Sequence, residues 1–259
     1  MNKETTQLEH MNKLEINKIY NENNLETMSK MPDNFVDLVV TSPPYNIGKG
    51  RKNGQRKESI SYDTYSDDLN KKDYFKQTGI WLDELLRVTK YHIFYNIQEI
   101  SGNKGIIKYI YENYSEHLKD VFIWAKTNPP SCILDNGISK GYEYIFCFSK
   151  DNPDKSVFKY CNFSNYNGDY IRNVIIKPVN NDKENKGHSF AFGDWLPKYF
   201  INYFSKEGDL IYDPFMGTGT TAKASHLLKR NWIGSEVSKK YTDLANKRLK
   251  PYLTQTTLF

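Results

Sequence analysis

Short apolar runs of strand length recur seven times along the chain, at residues 14–20, 35–41, 91–97, 121–125, 144–148, 210–213 and 232–236. Several lack polar alternation, and a strand that is apolar on both faces belongs in a sheet covered on both sides. Between most of them lie amphipathic stretches of helical length, at 25–31, 74–88, 100–118, 194–204, 218–228 and 239–249. Strands alternating with helices predict a doubly wound α/β fold with a largely parallel sheet. A length of 259 residues suits one domain spanning 1–259, because single cores stay workable up to about 250–300 residues.

Three segments break the alternation. Residues 46–63 form a Gly-, Lys-, Arg- and Ser-rich stretch, and 151–187 a polar run rich in Asn, Lys and Tyr; loops of that length in a compact domain tend to be functional or disordered. Residues 126–140 join two strands through Asn128-Pro129-Pro130 without a helix, which makes that pair antiparallel.

Composition excludes more than it selects. Cys132, Cys147 and Cys161 are too few and too far apart for a disulfide framework or a zinc knuckle, so no metal is expected and the compartment reads as reducing and cytoplasmic. Neither a secretory leader nor an apolar run of about 18 residues is present, which argues against a membrane. A net charge of +5 fits a polyanionic partner but does not demand one.

Two strand-to-turn corners carry the chemistry. In the later one, the run ending at Asp213 continues as Pro214-Phe215-Met216-Gly217-Thr218-Gly219-Thr220-Thr221 into a helix. Gly217 and Gly219 let the backbone turn tightly and approach a ligand, while the helix start offers free amides. Glu236 closes the next strand about 20 residues on, the spacing at which a carboxylate accepts hydrogen bonds from ribose hydroxyls. The pattern points to a nucleoside ligand; without a Lys-Ser or Lys-Thr pair, it is not a phosphate-binding loop. In the earlier corner, Thr41-Ser42-Pro43-Pro44-Tyr45 leaves another strand end. Its prolines fix φ near −65° and make a rigid projection for Ser42 and Tyr45.

With both corners in this order, the chain resembles the amino-group DNA methyltransferases of the circularly permuted beta class. In that class Ser-Pro-Pro-Tyr or Asp-Pro-Pro-Tyr precedes Asp-Pro-Phe-x-Gly-x-Gly-Thr-Thr, and the likeness runs here from about residue 19 to 249. The resemblance implies a Rossmann-like, seven-stranded methyltransferase sheet, largely parallel with one antiparallel hairpin, and S-adenosyl-L-methionine as cofactor. It places cofactor contacts at Asn23, Thr41, Asp213, Pro214, Phe215, Gly217, Gly219, Thr220, Thr221 and Glu236, and at Phe190 and Phe192 of the segment before the glycine turn. The chain departs from the pattern at Asn23, where relatives commonly carry an acid, and at Ser189 and Gly193, where prolines are frequent.

The implied reaction suits the early corner. An exocyclic base amine is a poor nucleophile because its lone pair is delocalised into the ring. Hydrogen bonds accepted by the Ser42 hydroxyl and the Pro43 carbonyl would draw the nitrogen toward tetrahedral geometry, with Pro44 stiffening the corner and Tyr45 stacking on the extruded base. The serine leans toward cytosine N4, with adenine N6 as the alternative. Tyr142 and Tyr144 read as core aromatics in preference to base contacts.

Double-stranded DNA is the implied partner. Lys49, Arg51, Lys52, Arg56 and Lys57 make 46–63 a mobile, DNA-facing loop, and Lys155, Lys159 and Arg172 make 151–187 a small target-recognition insert. So short an insert invites help from a homodimer, and a companion restriction endonuclease belongs to the same picture. A catalytically silent cofactor- and DNA-binding module is the competing class. Intact Ser42, Tyr45, Gly217, Gly219 and Glu236 speak against it.

Overall fold

The computed structural model of the protein describes residues 14–48, 67–131, 137–150, 155, 157–162, 171–179 and 193–254. Expectations for Lys49, Arg51, Lys52, Arg56, Lys57, Cys132, Phe190 and Phe192 lie outside the described residues. Among those described, no helix is long and apolar enough to cross a membrane.

The elements in chain order are β1 (Lys18–Tyr20), α1 (Asn24–Ser29), β2 (Val36–Thr41), α2 (Lys71–Val88), β3 (Thr89–Ile97), α3 (Ile106–Tyr114), a 3₁₀ turn (Ser115–His117), β4 (Leu118–Lys126), β5 (Tyr142–Ser149), β6 (Val174–Lys177), α4 (Trp195–Phe204), β7 (Leu210–Asp213), α5 (Thr220–Leu227), β8 (Asn231–Ser235) and α6 (Lys239–Leu253). The strands form one sheet of order β1-β8-β7-β2-β3-β5-β4-β6. All neighbours pair in parallel except β5, which runs antiparallel between β3 and β4.

The doubly wound sheet and the antiparallel pair around residues 126–140 are as the apolar runs foretold. Among the described residues the strand count is eight instead of seven. The addition is β6, a four-residue edge strand inside the polar insert in which only Ile175 is buried, too little apolar sequence to register as a strand. β1 is shorter than its apolar run because Asn17 takes a left-handed conformation, φ 59°. The helix anticipated over 100–118 begins only at Ile106. Before it, the Asn103 side chain accepts from Ile100 N and donates to the Gln98 carbonyl, holding those residues in a turn.

Side chains on the two faces fill two cores. Leu38, Val40, Phe94, Cys147 and Trp232 pack with α4, α5 and α6 on one side; Val36, Val39, Tyr95, Phe146 and Ile233 pack with α1, α2 and α3 on the other. Val36 shares a face with Val39, despite the odd spacing, because the β2–β3 register shifts between Val36 and Leu38. In the first core Phe94 stacks on Phe200 with centroids 4.1 Å apart.

The strand order positions the site. β2 and β7 are adjacent and parallel, pairing Leu38 with Ile211 and Val39 with Tyr212, although about two-thirds of the chain separates them. From β2 the chain winds one way to β3, and from β7 the other way to β8. Both corners therefore leave neighbouring strand ends at a topological switch point, where open α/β sheets bind ligands.

Candidate active site

A cleft of about 430 Å³ opens at these strand ends, with Ser42, Pro43, Pro44 and Tyr45 on one wall and Pro214, Phe215, Gly217, Thr220 and Glu236 on another. Three residues hold the walls together. The Thr41 hydroxyl donates to Asp213 Oδ1 (2.7 Å), and the Thr221 hydroxyl donates to Asp213 Oδ2 (2.6 Å). Phe215 N also donates to Asp213 Oδ1 (3.0 Å), shaping the first step of the turn. Thr41, Asp213 and Thr221 are buried and lie beneath the cleft instead of lining it. Burial pushes the Asp213 carboxyl up to about 6, against these three donors.

The glycines differ in role. Gly217 has φ 53°, stands on the cleft wall and donates its N–H to Glu236 Oε2 (2.9 Å). Gly219 faces away: with φ +82°, a Cβ there would lie 3.2 Å from Ala245 Cβ on α6. Glu236 Oε1 accepts from Ser238 N (2.8 Å). Each carboxylate oxygen thus keeps a lone pair for a ligand hydroxyl. Burial raises this carboxyl above its ordinary value, against the two backbone donors. Asn23 borders the cleft while its Oδ1 caps α1 by accepting from Leu25 N (2.9 Å).

The early corner is pinned at both ends. Tyr74 donates to the Pro44 carbonyl (2.8 Å), and Asn46, at φ 59°, exchanges hydrogen bonds with Leu69 N and O (2.7 and 2.8 Å) and donates to Gly102 O (2.9 Å).

Several residues in the cleft or bracing it escaped the sequence reading. Trp81, on α2, packs edge-on against Phe215 with centroids 4.8 Å apart. Arg248 donates to Thr218 O (3.2 Å) and Thr220 Oγ1 (3.0 Å), steadying the glycine turn, and reaches Asp194 (3.3 Å). Most notable is a buried polar cluster. Tyr45 OH lies 2.9 Å from Ser42 Oγ and 2.8 Å from Glu143 Oε2. Asn96 Nδ2 reaches Glu143 Oε2 (2.7 Å) and Tyr45 OH (2.8 Å), and Lys126 Nζ pairs with Glu143 Oε1 at 2.7 Å. Burial, then the Glu143 charge, push the Tyr45 hydroxyl well above its usual value. The signal was a charged or amide residue interrupting an otherwise apolar strand, Asn96 in β3 and Glu143 in β5. Tyr142 and Tyr144 flank Glu143, and strand alternation keeps both off the cleft wall.

Of the basic residues expected on DNA, Lys155, Lys159 and Arg172 are exposed. Lys119, near the start of β4, donates to the Lys155 carbonyl, and Tyr160, beside Lys159, stacks on Tyr91 near the start of β3. Those strand starts are at the end of the sheet opposite the cleft, a nine-residue strand spanning about 30 Å. Arg172 precedes β6, whose far end at Lys177 is the one beside Lys126. Among the described residues of the insert, Val179 borders the cleft, held by a bond from its N–H to Asn128 Oδ1 (2.7 Å).

Fold and cleft together define a Rossmann-like methyltransferase. The chain belongs to the DNA methylase family of N6 and N4 enzymes, whose model matches residues 36–247. It is 30% identical over 263 residues to the orphan methyltransferase M.BamHII of Bacillus amyloliquefaciens, with 85% of this chain and 91% of that one covered. It is 28% identical over 242 residues to the Type II methyltransferase M.HinfI of Haemophilus influenzae, covering 87% of this chain but 66% of the relative. Among solved structures, the cytosine-N4-specific PvuII DNA methyltransferase superposes with a TM-score of 0.69 at 15% identity, covering 93% of this chain and 87% of that one. The M1.HpyAVI–SAM complex superposes at 0.61 and 22% identity, covering 90% and 99%. At these identities the two structures speak for the fold.

Proposed function

We propose that this chain methylates the exocyclic amino group of a base flipped from double-stranded DNA, leaning to cytosine N4 on the strength of Ser42, with adenine N6 as the alternative. The observation that carries the reading is the convergence of Ser42 and Glu236, 194 positions apart, on one cleft at the ends of β2 and β8, the parallel strands on either side of β7.

S-adenosylmethionine fits the glycine-turn wall: bare backbone at Gly217, a carboxylate at Glu236 with lone pairs to spare, and Asn23 bordering the same space. When bound, it supplies an electrophilic methyl on a sulfonium. Glu236 would hold the ribose hydroxyls, and Pro214 and Phe215 would shape the wall beside them. Asp213, Thr41 and Thr221 act by keeping the two corners in register, and Gly219 by letting the turn pack closely on α6. On the opposite wall the Ser42 hydroxyl orients the amine, Pro43 and Pro44 fix the corner, and the Tyr45 ring supports the base.

The test is transfer of labelled methyl to duplex DNA, followed by digestion to nucleosides and mass spectrometry. N4-methylcytosine or N6-methyladenine is the expected product; binding of DNA and cofactor without transfer would favour the silent module. Sedimentation with duplex tests the homodimer. Protection of the methylated site from cleavage tests a companion restriction endonuclease, and fractionation of the source cells tests a cytoplasmic location.

A further inference from the structure

The cluster of Ser42, Tyr45, Asn96, Glu143 and Lys126 has a direction that can be worked out from donors and acceptors alone. Glu143, paired with the Lys126 ammonium at 2.7 Å, is a carboxylate and can only accept. Its Oε2 lies 2.8 Å from Tyr45 OH, so the tyrosine donates there; two bare oxygens that close would repel. The other acceptor in reach, the Asn96 carbonyl, is uncharged and 3.4 Å away. A phenol has one proton, so the 2.9 Å contact between Tyr45 and Ser42 has Ser42 as donor. Asn96 is fixed by the same logic: its Nδ2 faces Glu143 at 2.7 Å, which leaves Oδ1 buried and without a hydrogen-bond partner among the described residues.

The serine hydroxyl has then used its proton inside the protein. Asn96 Nδ2 also donates to its oxygen at 3.4 Å, and what the hydroxyl presents to the cleft is its remaining lone pair. A substrate atom meeting Ser42 must be a donor, as an amine N–H is and a keto oxygen is not.

We infer that Glu143, a positioning residue held by Lys126, polarises the Tyr45–Ser42 chain so that the site accepts an amino-bearing base edge and rejects a keto one. The inference rests on the functional reading above and adds the group that enforces its selectivity. A base with an amino group at the reacting position, cytosine or adenine, meets an acceptor; uracil or hypoxanthine in its place sets oxygen against oxygen.

The test uses the full chain and duplexes containing the site and base identified by nucleoside analysis, beside duplexes with that base replaced by its keto counterpart. Wild-type protein should bind the keto duplex at least about tenfold more weakly, the discrimination of one good base-edge contact. In Glu143→Gln the amide can donate to Tyr45 and reverse the chain, so the binding ratio should fall toward one. Turnover should drop about tenfold or more while the Kd for S-adenosylmethionine changes less than about twofold. Because Glu143→Gln leaves Lys126 buried without its counter-charge, the double variant Lys126→Met/Glu143→Gln is measured as well. It should regain thermal stability without regaining discrimination. Wild-type discrimination kept in either folded variant, or absent from the wild type, overturns the assignment while leaving the methyltransferase reading intact. Absence of methyl transfer to any DNA by the wild type defeats both.

Discussion

The Thr41 hydroxyl meets Asp213 Oδ1 at 2.7 Å across 172 positions of sequence, and this buried contact joins the strand that ends in the proline corner to the strand that ends in the glycine turn. Thr41→Val keeps the shape and removes the donor, leaving a buried carboxylate oxygen one hydrogen bond short. The expected loss is about 1–3 kcal/mol of stability, read from urea unfolding. Unchanged stability would show that the two corners are held by strand pairing alone.

Asp213 also gives stability a pH signature. Burial lifts its carboxyl from 3.8 to about 6 in the folded protein, whereas an unfolded carboxyl titrates near 3.9. Folding therefore favours the protonated form. The contribution is fully present below about pH 4 and is lost as pH rises through about 6, a fall of about 3 kcal/mol. Asp213→Asn should lack that fall, whatever its absolute stability, when unfolding is followed from pH 4 to pH 7. Equal slopes in the two proteins would refute the shift.

The sequence carried the scaffold further than the site's interior. Apolar runs such as 35–41 and 210–213, broken only by Asp37 and by the terminal Thr41 and Asp213, read as strands of a covered sheet, and the two corners announce themselves by proline and glycine. What pairs with what is another matter. Nothing in the residues around Asp213 says that its carboxylate faces Thr41 and not the ligand, since that depends on β2 and β7 being neighbours. Glu143 was hidden for a similar reason: between Tyr142 and Tyr144 it reads as a polar break in an apolar strand, and only the folded sheet supplies Lys126, Tyr45 and Asn96 as its partners. The placement of the basic residues was hidden as well, because charge alone does not say that Lys155 and Lys159 sit by the starts of β4 and β3, at the end of the sheet away from the cleft.

Tyr45 serves the proposed chemistry in two ways, and two substitutions separate them. Its ring borders the cleft, while its hydroxyl is bonded to Ser42 and Glu143. Tyr45→Ala should reduce turnover far more than cofactor affinity, since no part of Tyr45 is on the glycine-turn wall. Tyr45→Phe retains the ring and should retain most duplex binding while turnover still falls about tenfold or more. Equal losses of turnover and of S-adenosylmethionine affinity in Tyr45→Ala would contradict the division of labour between the walls.

Glu236 is the residue on which the proposed cofactor wall depends. Its two oxygens are each engaged by one backbone amide, Gly217 N at 2.9 Å and Ser238 N at 2.8 Å, so the carboxylate both shapes the turn and faces the cleft. Glu236→Gln replaces one acceptor oxygen with an NH₂ group, which must then oppose either a backbone N–H or a ligand hydroxyl. If the amide turns its oxygen to Gly217, the Ser238 side loses its acceptor; in the other orientation the glycine turn does. Either way one ribose contact weakens and one buried donor is stranded, each costing about 1–3 kcal/mol. The Kd for S-adenosylmethionine, measured by calorimetry, should rise about tenfold or more, and turnover at saturating cofactor should change much less. A variant that binds the cofactor as the wild type does would place the ribose elsewhere in the cleft.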